Sequence, residues 1–151
     1  MTKETRPAKI RSTIYWTTTA LTAFFFLTGG VAYLVHVDPT MQGMAALGYP
    51  AYFVTILGIW KLLGGIVILA PRLPRLKEWA YAGIVFDLTG ASISQGAVGH
   101  PAIKVILPLV LLWIAAASWA LRPSSRTLGD VTASISARNS RTRPTLTGSA
   151  T

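Results

Sequence analysis

Residues 51–70 read AYFVTILGIWKLLGGIVILA, a run of twenty residues whose only charge is Lys61. At 1.5 Å per residue such a run reaches about 30 Å, the thickness of a bilayer's hydrocarbon core. It has none of the apolar–polar alternation of a barrel strand. A lipid-crossing segment must satisfy every backbone N–H and C=O internally, so the run is expected to be a transmembrane helix. A lone ammonium at its centre costs at least ~2.5–3.5 kcal/mol on insertion scales, which calls for an acidic partner on a neighbouring span.

Three further apolar runs stand beside it: about Ser12 to Val35, about Glu78 to Val98 and about Ile103 to Leu121. The whole chain of 151 residues is 52% apolar and 13% charged, against about 25% charged in an ordinary soluble domain. The sequence thus predicts an all-α integral membrane protein, a bundle of four helices with short loops. It divides into a basic arm over 1–11, a membrane domain over 12–121 and a basic, disordered tail over 122–151 that is rich in Ser, Thr, Arg and Gly. The first run is longer than the h-region of a signal peptide and no Ala-x-Ala site follows it, so it reads as a retained helix. Asp38-Pro39 is expected to stop the first helix, Pro71 to Pro74 to turn after the second, Gly99-His100-Pro101 to separate the last two, and Pro108 to bend the fourth.

The net charge of +9 does not form an interleaved patch, so no nucleic-acid partner is expected. Lys and Arg count 4 in the arm, 0 in the first loop, 3 in the second, 1 in the third and 5 in the tail. By the positive-inside rule the arm, second loop and tail lie in the cytoplasm, in a bacterial inner membrane. The expected partners are the lipid bilayer and either further copies of the chain or another membrane protein. The absence of cysteine excludes disulfides and thiolate chemistry on this chain.

Lys61 stands nine residues before Ala70 and Asp87 nine after Glu78. Across an antiparallel hairpin the two reach the same depth, about 13–14 Å from one face. They are expected to pair, either as a bridge fixing helix register or as a proton-relay or ligand site. Thr89, Ser92, Ser94 and Gln95 follow on the third helix, and His36 and His100 stand near the outer ends of the first and third, with Asp38 close by. Thr89, Ser92, Gln95, His100 and His36 are candidate lining for a shallow pocket opening to the outer face, suited to a quinone headgroup or a lipid. The spacing of the two histidines is not that of a metal site, and none is expected. No Ser–His–Asp or HExxH arrangement appears, and enzymatic activity is left open. Gly29-Gly30, Gly58, Gly64, Gly65, Gly83, Gly90 and Ala91 are expected to let helices approach closely.

Leu47-Gly48-Tyr49-Pro50 with Ile56-Leu57-Gly58-Ile59-Trp60-Lys61-Leu62-Leu63-Gly64, then Pro74-Arg75-Leu76-Lys77-Glu78-Trp79-Ala80-Tyr81-Ala82-Gly83 and Phe86-Asp87-Leu88-Thr89-Gly90-Ala91, resemble the DoxX-like family of small membrane proteins. The resemblance covers Ser12 to Leu121 and implies a four-helix bundle. It departs from the family pattern at Ser94 to His100, where relatives often carry a histidine after the serine and an acidic residue after the glycine; Gln95 and His100 stand there. The family takes its name from a thiosulfate–quinone oxidoreductase subunit on a distant branch, and fold alone does not carry that activity over. The leading expectation is a structural or accessory membrane component with a buried Lys61–Asp87 pair; the alternatives are a subunit of a quinone-linked oxidoreductase and a small transporter.

Overall fold

A computed structural model describes residues 5–71 and 73–122. It is all-helical over those residues: α1 (Thr5–Leu34), α2 (Asp38–Ala46), α3 (Ala51–Leu69), α4 (Pro74–Ala97) and α5 (Ala102–Ala120). Of the tail expected over 122–151, all but Arg122 lies outside the described residues.

Among the described residues five helices stand where four were expected. The additional one, α2, occupies what was read as a short loop. Asp38-Pro39 does not merely end the first helix. Proline at the first turn presets φ and has no N–H to leave orphaned, and the acidic Asp38 suits a helix N-terminus, so the pair starts α2. The break before it is made at His36, whose φ of 52° ends α1 in the left-handed region. Two other boundaries shift. The first helix begins at Thr5, so much of the basic arm is helical, and α4 begins at Pro74, inside the expected turn. Helix α5 runs on through Pro108.

Among the described residues three helical segments are both long and apolar enough to cross a membrane: Lys9–Leu34, Ala51–Leu69 and Ala102–Ala120. Helix α4 is long, at 24 residues, but it carries Arg75, Lys77, Glu78 and Asp87 together with several hydroxyl side chains, which lower its mean hydropathy.

The four long helices pack in the ring order α1–α3–α4–α5, with α1 and α4 each lying against both α3 and α5. The inward stripe of α1 is Tyr15, Thr19, Thr22, Phe26 and Gly30, all buried, while Ile10, Ile14, Leu21, Phe24, Phe25 and Val31 point outward. Apart from Phe26, the stripe puts small or polar residues inside and large apolar ones outside, the order lipid favours. A bilayer gives aliphatic side chains no reason to leave it, so close backbone approach and interhelical hydrogen bonds hold the helices together. A small apolar core of Ala23, Phe26, Ile68, Tyr81, Ile84, Leu88 and Ala115 fills the centre.

Glycine has a clear part at only some of the expected positions. A Cβ on Gly30, Gly58 or Gly65 would come within about 3 Å of atoms on the facing helix. Around Gly64, Gly83 and Gly90 there is open space, so these three do not bring helices together among the described residues.

Candidate functional site

Lys61 of α3 and Asp87 of α4 meet, Nζ to Oδ2, at 2.5 Å. The side chains are 14% and 16% exposed. The ammonium also lies 4.6 Å from the Phe26 ring centroid and 5.5 Å from that of Tyr33, both on α1. Ring faces carry negative electrostatic potential and so share in holding the cation. Gly29 borders the site, and a Cβ on it would make only ordinary contact, 3.9 Å from the Lys61 Cδ. The site therefore joins three helices: two through opposite charge and a third through aromatic faces.

The other candidate residues separate into small local sets. Ser92, buried, donates to the Val105 carbonyl at 3.0 Å and ties α4 to α5. Thr89 turns back onto its own helix, donating to the Val85 and Phe86 carbonyls at 2.7 and 3.2 Å. Gln95 and His100 contact each other, Oε1 to Nδ1, at 2.5 Å. His36 is exposed and bonds Thr55 Oγ1 through Nε2 at 3.1 Å. Ser94 bonds the Tyr49 hydroxyl at 2.6 Å, fixing the segment before α3 to α4. The two histidines thus belong to different pairs. Among the described residues no three of His, Asp and Glu cluster as metal ligands would. None of the candidate pocket residues lines the groove of about 330 Å³ that runs between α4 and α5.

A second polar set escaped sequence reading. It lies at the end of the bundle where α1 begins, α3 turns into α4 and α5 finishes. Ser118 Oγ contacts Thr19 Oγ1 at 2.6 Å and the Tyr81 hydroxyl at 2.7 Å, and all three residues are buried. Lys77, 1% exposed, donates to the Ile68 carbonyl at 2.6 Å, satisfying one of the last carbonyls of α3. Arg122, expected to belong to the tail, is 4% exposed and packs on α4. Its Nη2 lies 2.7 Å from Glu78 Oε1, and the Trp119 indole donates to Glu78 Oε2 at 2.9 Å. A lysine and an arginine flanking apolar runs ordinarily extend their head groups into the interface, so nothing in the local sequence marked these two as interior. The one available signal was Glu78, an acid set among flanking cations.

The sequence profile of the DoxX-like family matches residues 17–118, the stretch holding α2, α3, α4 and most of α1 and α5. No curated protein and no solved structure gives a match.

Proposed function

The chain belongs to the DoxX-like family, and from that premise we propose that it is a four-span protein of the bacterial inner membrane serving as a structural or accessory component, in further copies or beside a partner protein. In this reading α4 is the fourth crossing, completing a four-helix bundle. Its 24 residues extend about 36 Å, it lies between two apolar helices, and its one central charge, Asp87, faces Lys61. The apolar exterior faces the lipid bilayer. The arm, the α3–α4 turn and the tail face the cytoplasm, in keeping with the distribution of Lys and Arg.

The observation that carries the structural role is the Lys61–Asp87 pair itself. Its charges are spent on each other and on α1 rings. The other interhelical polar contacts, Thr19–Ser118–Tyr81 and Ser92 to Val105, likewise tie one helix to the next. Side chains used in this way fix which helices are neighbours and in what register. The test is native mass spectrometry of the full chain released from membranes in its own lipid. The expected result is a multiple of the chain mass or a complex with a second protein. A bare monomer in both native lipid and mild detergent overturns the accessory role.

A further inference from the structure

From the groove between α4 and α5 and the arginine at its polar end, we infer a binding site for one anionic phospholipid, an acyl chain lying in the groove and the phosphate reaching Arg122.

The groove holds about 330 Å³, within the range of sites that take small apolar ligands. Ala82 and Val85 of α4 face Ala115 and Ala116 of α5 along it, and Tyr81 and Trp119 stand toward one end. The small alanine side chains leave the channel open. Val85, exposed on the same side of α4, puts the opening on the bilayer side of the protein. That is the surface an acyl chain reaches and a water-soluble ligand does not.

The polar end supplies the charge. The Arg122 guanidinium lies 5.2 Å from the Tyr81 ring and 5.5 Å from the Trp119 ring, two groove residues, and is bonded to Glu78, a third. Its Nε donates to the Trp119 carbonyl at 3.0 Å and its Nη2 to Glu78. Among the described residues Nη1 is buried and has no acceptor. Glu78 takes Nη2 and the Trp119 indole on its two oxygens and makes no bond to Nη1. A buried charged donor without an acceptor is costly, and a guanidinium is matched to the oxygens of phosphate. The ends of α1 and α4 nearby add the exposed Lys9, Arg11 and Arg75, so the local field favours an anionic headgroup over a zwitterionic one. Nη1 is shut off from solvent, so the phosphate reaches it only as side chains packed around the guanidinium, Tyr81 and Trp119 among them, give way.

The experiment is native mass spectrometry of the full chain in neutral detergent, titrated with phosphatidylglycerol or with a diacylglycerol of the same acyl chains, which lacks the phosphate. The unaltered chain is expected to hold one phosphatidylglycerol at about tenfold lower concentration than the diacylglycerol, the worth of one hydrogen bond to a charged group. Arg122→Gln is expected to abolish that preference. Ala116→Trp, a bulky ring at an exposed position on the groove wall, is expected to weaken binding of both lipids about tenfold with helix content unchanged. It keeps the test decisive if Arg122→Gln does not fold. Equal affinity for the two lipids, a preference that survives Arg122→Gln, undiminished binding by Ala116→Trp, or a second chain bound in place of lipid each overturns the site.

Discussion

Gly30 of α1 and Gly58 of α3 face each other backbone to backbone: a Cβ on Gly58 would lie 3.1 Å from the Gly30 carbonyl oxygen, and one on Gly30 3.0 Å from that of Gly58. Neither oxygen is free to move, because each belongs to a helix. This approach also sets where Lys61, three residues after Gly58, stands relative to the α1 rings. Gly58→Val should therefore separate the helices and cost about 1–3 kcal/mol, the usual penalty for overfilling a packed contact. Gly64→Val, where nothing lies within 4 Å, should change stability by less than about 0.5 kcal/mol. Thermal unfolding of the purified variants in one detergent compares them. Equal losses at the two positions would show that the close α1–α3 approach is not what holds these helices.

Ser118 is the hub of a buried hydroxyl chain, in contact with Thr19 on one side and Tyr81 on the other. Ser118→Ala removes a partner from both and is expected to cost about 1 kcal/mol, since interhelical hydrogen bonds in membranes are individually modest. Tyr81→Phe should cost a similar amount. The double variant should lose clearly less than the two single losses together, because residues sharing one network are coupled by about 0.5 kcal/mol or more. Denaturant titration of the four proteins gives the cycle. Strict additivity would mean the hydroxyls do not act as a chain.

The apolar runs and the depth match of Lys61 with Asp87 were legible because lipid penalises every departure from them. Twenty apolar residues have few alternatives, and a central charge needs a partner at its own level. Helix α2 was not legible, since Asp38-Pro39 reads equally as the end of one helix and the start of another, and only the backbone at His36 decides. Lys77 and Arg122 were misread for a different reason. Charge counting treats every flanking cation as solvated, whereas these two fold back onto the Ile68 carbonyl and Glu78. The Thr19–Ser118 contact spans 99 positions, beyond the reach of any local pattern. For the glycines, composition could not tell a close contact at Gly58 from open space at Gly83.

The proposed orientation is open to direct measurement because the chain has no cysteine of its own. Gly43 in α2 and Arg75 at the start of α4 are both exposed, and they stand at opposite ends of α3. In spheroplasts, a membrane-impermeant maleimide should label Gly43→Cys fully and Arg75→Cys at no more than about a tenth of that level, the second becoming reactive once the membrane is opened. This follows from retention of the Lys- and Arg-rich end in the cytoplasm. The reverse labelling pattern would invert the protein. Labelling of both from outside would mean that α3 does not cross.

The Lys61–Asp87 pair yields the sharpest contrast between single and double substitutions. Asp87→Asn keeps the shape of the side chain and an oxygen that can accept from the ammonium, but it removes the negative charge and leaves the cation uncompensated beside the Phe26 and Tyr33 rings. Breaking a sealed ion pair costs about 3–5 kcal/mol. Here both partners keep a little exposure, 14% and 16%, so a loss nearer 2–3 kcal/mol is expected, enough to reduce the folded protein recovered from membranes several-fold. Lys61→Met combined with Asp87→Leu removes both charges together, and apolar side chains in lipid need no partner. That double variant should recover most of the loss, because desolvation offsets much of what the pair gains by attraction. Size-exclusion profiles of membrane extracts, traced with a fluorescent fusion, measure the folded fraction of each. A double variant that folds well but loses a cellular phenotype would move the pair from fastening to function. A double variant no better than Asp87→Asn would mean that the two charges do not lock α3 to α4.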